Sequence, residues 1–389
     1  MKKLFSLMLT TLSLLVLASC DNLEVRRVEP VTDSPSEQVL TLIVETDQGP
    51  IEQIINLDNY EEATVFDLLV AYFDVHYMMF DFGPMLLSID SLAPRYGAFI
   101  SIIHNGEPSM YGAQDIIYEP GDVIVFELAW WDLTMQAVRE AIEAVEAAGL
   151  SDYFQNQPNL HVSAALVHLG HETALIELLD ASYDPTSEGA LSQAILVKHL
   201  AGEDTSTWLE ALQDVKTIAW PYATSLSVMA LMTDEAAETV YASYFDAFVA
   251  DISGRDLESL DPDTLVLTYL ALLALSSETA STLASAVLET IITTLHTSSF
   301  GPNAATTAHQ IIALTAAGLD ANDASYHHNG VSLIAQLLSF HDGEGAFYWN
   351  DDSPAVDRMF STPQAYLALV LYEAFIQQHS PIHPFLHLP

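Results

Sequence analysis

Fourteen histidines are the side chains here best suited to ligate a metal or move a proton. His161, His168 and His171 lie on or beside one predicted helix, with 161 and 168 on a shared face. Neutral imidazoles so placed suit Zn, Ni or Co. No carboxylate in that helix completes a ligand set, so they read as core or surface histidines. His379, His383 and His387 recur every fourth residue, but Pro381 and Pro384 break the helix that would align them. Asp351, Asp352 and Asp357 could face a cation, yet their spacing matches no calcium loop, and a solvated acidic loop is the reading. Two aromatic groups each precede an apolar helix: Trp220-Pro221-Tyr222, and Phe347, Tyr348, Trp349, Met359 and Phe360. Aromatics there can floor a pocket for a flat or apolar ligand, with helix N-termini favouring anionic groups, or they can simply plug a core.

The balance of charge limits the partners. Among 389 residues there are 53 acidic and 10 basic side chains, a formal charge of -43. Such a surface repels DNA, RNA and anionic headgroups, so nucleic acid is ruled out as a partner. Half the residues are hydrophobic, enough for a large core. Cys20 is the sole cysteine, so neither an intrachain disulfide nor a cysteine zinc cluster can form.

Met1-Lys2-Lys3, the apolar run Leu4 to Leu17 and the small residues at 18–19 read as a secretory signal over 1–19. Leu17-Ala18-Ser19-Cys20 resembles the lipobox of bacterial lipoproteins. That resemblance implies cleavage before Cys20, lipid on its sulfur, and an extracytoplasmic protein held to the cell membrane. Residues 20–38 are polar and aperiodic, a tether.

Residues 39–131 are predicted as a small α+β domain of β-grasp type. The elements are strands at 39–46 and 51–57, a helix over 64–75 capped by Thr64, a short strand at 88–90, a strand at 98–104 ending in an Asn105-Gly106 turn, and a strand at 122–129. EEATVFDLL, SIDSL, YGAFISIIHNGEP and GAQDIIYEPGDVIVFEL together resemble the transcobalamin-type C-terminal β-domain of bacterial surface proteins. The strand before the turn often carries Trp or Tyr in that family, where this chain has Phe99 and Ile100. Phe99 and Asn105 are the ligand contacts that the resemblance offers.

From 132 to 389 only helices are predicted, twelve of them: 133–148, 159–169, 171–181, 187–201, 205–216, 222–232, 234–251, 263–276, 278–296, 303–318, 329–340 and 361–378. The even-numbered ones are apolar on nearly every side and must be buried. They carry four copies of a Thr-x5-Ala-Leu spacing, beginning at Thr224, Thr268, Thr307 and Thr362. Alternation of buried and amphipathic helices fits two concentric rings; an open solenoid is the alternative. NAATTAHQIIAL from Asn303, and the Gly343-x-Gly345-x-Phe347 turn before Thr362, resemble the repeat of the α/α toroids found in terpenoid cyclases, protein prenyltransferases and cobalamin carriers.

The catalytic lineages of that fold need a zinc-binding Cys beside Asp and His, an Asp-rich acid motif, or Cys-Gly-Glu-Gln. The chain has only Cys20, an incomplete Asp351-Asp352 preceded by Trp349-Asn350, and no such tetrad. It is therefore expected not to be an enzyme. Cobalamin carriers pair a toroid with this kind of β-domain, here in reversed order. The resemblance implies a lipid-anchored binding protein, with cobalamin or another corrinoid as the possible ligand between the domains and no certain cofactor. The candidate contacts are Trp220, Tyr222, Asn303, Phe347, Tyr348, Trp349 and Phe360, together with Phe99 and Asn105. His327, His328 and His341 are the possible ligands to a corrinoid cobalt. A surface interaction protein with a filled toroid is the alternative.

Overall fold

The computed structural model describes residues 38–386 apart from 47, 61, 81–82, 155–157, 180–182 and 298–302, and the side chains of 295–297. The leader, Cys20, most of the tether and His387 lie outside the described residues. The chain forms two compact units, one ending at Trp131 and the other beginning at Asp132.

The first unit is built on alternation. β1 (Val39–Thr46) buries Leu40, Leu42 and Val44, every second residue, as a strand with one face on a core must. It pairs antiparallel with β2 (Gly49–Asn56). α1 (Val65–Tyr72) starts in a capping box: Thr64 Oγ1 accepts from Asp67 N, and the Asp67 carboxylate accepts from Thr64 N. Its Val65, Phe66, Leu68 and Leu69 share a core with the buried β1 residues and with Ile124 and Phe126. β3 (Val75–Phe80) and β4 (Gly83–Ile89) make a separate two-stranded sheet. β5 (Ala98–His104), β6 (Glu107–Pro108) and β7 (Val123–Trp130) complete the main sheet, in the order β2-β1-β7-β5-β6, with β1 and β7 parallel.

The helix expected over 64–75 stops at Tyr72, and Val75–Phe80 is a strand. The aromatic and β-branched run Val75-His76-Tyr77 fits a pleated surface, and its partner 83–89 absorbs the short strand expected at 88–90. The Asn105-Gly106 turn forms as expected, with φ of 52° and 84°. Asn105 is committed to it: its Nδ2 donates to Asp122 at 2.7 Å and its Oδ1 accepts from Val123 N at 2.8 Å. Phe99 is a half-exposed residue of β5.

The second unit is helical throughout its described regular structure, apart from isolated bridges. Six buried helices are α3 (Leu160–His168), α5 (Glu188–Leu200), α7 (Pro221–Leu231), α10 (Pro262–Leu273), α12 (Ala304–Ala316) and α14 (Ser361–Gln378). Each packs on the next in that order, and α14 returns to α3, so the six close into a ring. Six more lie against it: α2 (Leu133–Ala147) on α14, α4 (Glu172–Leu178) on α3, α6 (Ser206–Val215) on α5, α9 (Ala242–Ser253) on α7, α11 (Glu278–Thr297) on α10 and α13 (Leu333–Ser339) on α12. A single turn, α8 (Ala237–Val240), precedes α9 and breaks the helix expected over 234–251.

The repeated threonines show how the ring helices bury hydroxyls at close range. Thr224 and Thr307 return their hydroxyls to the carbonyls of Trp220 and Asn303, four residues earlier, and Thr362 reaches the carbonyl of Asp357. Thr268 instead meets Ser225 across the α7–α10 seam at 3.2 Å, and Ser192 meets Ser227 across the α5–α7 seam at 3.0 Å. Small side chains whose polar atoms are satisfied at once let neighbouring helices approach closely without leaving an orphaned hydroxyl. The Gly343-x-Gly345-x-Phe347 turn leads toward α14. Gly345 has φ 96°, and a Cβ there would run into the carbonyl of Ala144 in α2.

Candidate cavity at the open end of the helical ring

One end of the ring holds a cavity of about 610 Å³. The starts of three ring helices shape it. Asn159 caps α3, its Oδ1 accepting from His161 N and Val162 N at 3.1 Å each, which turns Asn159 and His161 toward that end. At α14 the N-cap position, Phe360, has no side-chain cap, and Asp357 three residues earlier gathers the turn. Its carboxylate accepts from Met359 N and Phe360 N at 3.1 Å, from Ser361 N at 3.0 Å and from the Ser361 hydroxyl at 2.8 Å. Burial works against the charge of Asp357, but these bonds outweigh it and hold its carboxyl below the usual range. The same bonds fold Arg358-Met359-Phe360 into a collar whose side chains line the rim. At α7, Pro221 occupies the first turn and Trp220 supplies no side-chain cap. Tyr222 faces the cavity, its ring stacked on Trp220 at 5.4 Å. Its phenol is pushed up by burial and then by Asp263 and Asp261. Gln193 of α5, Gln364 of α14 and Tyr153 complete the wall.

Behind the wall lies a charged pair, His309 buried and Asp263 partly exposed. His309 Nδ1 is 3.1 Å from Ala305 O and 3.2 Å from Asp263 Oδ1, so with two oxygens facing it this nitrogen carries the proton. Burial opposes a charge on His309, but Asp263 outweighs it and raises the imidazole; His309 in turn holds Asp263 low against burial. His161 stands edge-on to His309, with ring centroids 5.6 Å apart. Burial and then the charge of His309 push His161 down to about 3, so it is neutral at ordinary pH. Its Nε2 is shut from solvent and has no hydrogen-bond partner. Gln364 Oε1 is likewise buried and unpartnered.

The other end of the ring is closed by the chain itself. After α14, His379 turns in the left-handed region at φ 51°. Ile382 N then donates to Thr315 O of α12 at 3.3 Å. His383 Nε2 donates to Leu270 O of α10 at 3.2 Å, while its Nδ1 accepts from Phe385 N and Leu386 N. His168 Nε2 donates to Pro384 O at 3.1 Å. Phe385 is fully buried, its ring 5.9 Å from that of His161. The segment therefore seals one end and reaches the back of the histidine that lines the cavity.

Of the residues expected at a ligand site, Tyr222 and Phe360 line this cavity together. Trp220 is 63 % exposed and touches it only by stacking on Tyr222. Asn303 caps α12, accepting from Thr306 N. Phe347 is core, with His341 tilted against it at 4.9 Å. Trp349 is half-exposed and its carbonyl accepts from Ala304 N, while Tyr348 bridges to Val356. None of His327, His328 and His341 is in the lining: His327 bonds Asn322 O, His328 pairs with Val331, and His341 Nε2 is buried. His161, His168 and His171 do not converge, and among the described residues no group of three or more His, Cys, Asp or Glu is placed to hold a metal. The lining residues not anticipated include Tyr153, Gln193, Arg358 and Gln364. Their one legible signal was position, Arg358 and Gln364 lying within six residues of the aromatic collar.

Comparison with known families matches residues 62–129 to a domain of unknown function, DUF4430. The match runs from just before α1 to the penultimate residue of β7, within the first unit. Comparison of the chain with curated proteins returns no match. Among the described residues no helix is long and apolar enough to cross a membrane.

Proposed function

We propose that this is a lipid-anchored extracytoplasmic binding protein whose helical unit, an α/α toroid of the kind shared by terpenoid cyclases and cobalamin carriers, takes a small organic ligand into its open end. The observation that carries the reading is the pairing of a 610 Å³ aromatic-rimmed cavity at one end with a self-sealed opposite end. That volume falls in the range of about 300–1,000 Å³ typical of small-molecule sites. Convergent polar groups beneath an apolar rim are what orient such ligands. Catalysis is not part of the reading: among the described lining residues Asp152 is the single carboxylate, where acid–base chemistry would call for paired groups.

Titration with phenylnaphthylamine, a neutral dye that fluoresces in apolar surroundings, tests it. The full chain is expected to bind one dye, and Gln193→Trp or Met359→Trp, which fill the cavity from wall and rim, to abolish binding. Binding that survives both substitutions would overturn the reading. The transcobalamin-like first unit and the ring also support a corrinoid as ligand. Because the cavity is of ordinary ligand size, a corrinoid would enter only in part. Saturating cobalamin or cobinamide is expected to raise the melting temperature by linkage; an unchanged melting temperature would remove the corrinoid version and leave the cavity reading in place.

A further inference from the structure

Resting on that reading, we infer that the ligand is an organic acid, its anionic group held at Arg358 and its apolar body against Phe360, Met359 and Tyr222. The first observation is how this chain spends its few cations. Within 38–386 there are six basic residues, of which Arg95 lies in the first unit and has a partner there or elsewhere in the chain. Arg139 pairs with Glu143 and Glu373, and Arg255 with Asp251. Lys198 and Lys216 lie over the rings of Trp208 and Tyr244. Arg358 lines the cavity, and among the described residues no carboxylate comes within ion-pair distance of it, although the chain carries 53 acidic side chains. Asp152 also lines the cavity and is exposed to solvent. The Arg358 charge acts on the Tyr153 phenol and, from farther off, on Asp342, but neither spends the guanidinium fork on a carboxylate. A guanidinium so placed at the edge of an apolar cavity is a bidentate receptor for a carboxylate or sulfonate.

The second observation lies inside. Gln364 lines the same cavity at 7 % exposure with Oε1 lacking any donor. A buried acceptor without a partner costs free energy that a ligand hydroxyl or N–H would recover. The uncapped start of α7 adds backbone N–H groups and the positive end of its dipole on the same side. The acid group, the donor and the apolar body each therefore have a counterpart among residues that line the one cavity. The acidic exterior opposes anions from a distance, but at physiological salt that field decays over about 8 Å, whereas the Arg358 contact is direct.

The test compares two dyes that differ by one sulfonate, anilinonaphthalene sulfonate and phenylnaphthylamine, on the full chain. The sulfonate dye is expected to bind roughly tenfold tighter or more. Arg358→Gln should bring the ratio of the two dyes' affinities to about one, and Arg358→Lys should restore part of the preference. Equal affinities in the unmodified chain, or a preference that survives Arg358→Gln, would overturn the organic-acid assignment while the cavity reading stands. Failure of both dyes to bind would overturn both. Because Arg358 is exposed and makes no ion pair, its substitutions leave the fold intact, and an unchanged melting temperature verifies this.

Discussion

The two ends of the helical ring are built from the same repeat and finished in opposite ways. At the end formed by the starts of α3, α7 and α14, capping groups turn the chain into a collar, and a cavity remains. At the other end Pro381 to Leu386 lies across the ring, and its polar groups are spent on the carbonyls of Leu270 and Thr315 and on His168. The difference teaches where selection for stability stops. On the proposed reading, the open end leaves a buried acceptor such as Gln364 Oε1 for a ligand to satisfy, whereas the closing segment bonds the polar groups named above within the chain.

That contrast can be broken from the sealed side first. Phe385→Ala removes a fully buried ring and should cost about 3–5 kcal/mol in denaturant unfolding. A cost under 1 kcal/mol would mean the segment merely rests on the ring. Acid offers the next lever. Burial holds His383 down to about 4 against an ordinary 6.5. The unfolded chain therefore binds the extra proton first, so the contribution of His383 is complete above pH 6.5 and lost as pH falls toward about 4, roughly 3 kcal/mol in all. His161 adds to the slope in the same direction, over a window reaching down to about 3. His383→Gln should flatten the pH dependence between 6.5 and 4, and a slope identical to the unmodified chain would contradict the assignment.

Smaller effects belong to the open end. Gly345→Ala places a methyl group against Ala144 at a positive φ and should cost about 1–3 kcal/mol, because the turn leading into the collar has no room to relax. Phe360→Ala, in contrast, should change stability by less than about 0.5 kcal/mol, since the ring is 59 % exposed, while weakening capture of phenylnaphthylamine. A rim residue that proved as costly to remove as Phe385 would erase the distinction between the two ends.

Much of the fold was legible because its causes are local and periodic. The twelve helices follow from runs apolar on all sides alternating with amphipathic ones, and each buried helix falls where an even-numbered one was expected. Thr64 and the Asn105-Gly106 turn carry their geometry in their residue types. Of the β3–β4 pair only the end of β4, at 88–89, was legible, because Val75 continues an apolar stretch that a helix would also satisfy until strand pairing decides it. The site was half legible. Tyr222 and Phe360 announce themselves as aromatics before buried helices, but Phe347 has the same signature and is core, since only packing separates a rim ring from a filling one. Arg358 and Gln364 carry no motif; only packing shows that Gln364 Oε1 is buried without a donor and that no carboxylate among the described residues comes within ion-pair distance of Arg358. His383 was read within a tail that proline keeps from being helical; the prolines do break the helix, and in doing so carry the histidine back into the ring.

The most direct measurement of the central claim is the stoichiometry of phenylnaphthylamine on three forms of the full chain: unmodified, Gln193→Trp and Phe385→Ala. One dye per unmodified chain, none on Gln193→Trp and at least one on Phe385→Ala would place capture at the open end and closure at the other. Binding that persists in Gln193→Trp but vanishes in Phe385→Ala would put the ligand beneath Pro381–Leu386 and contradict the account.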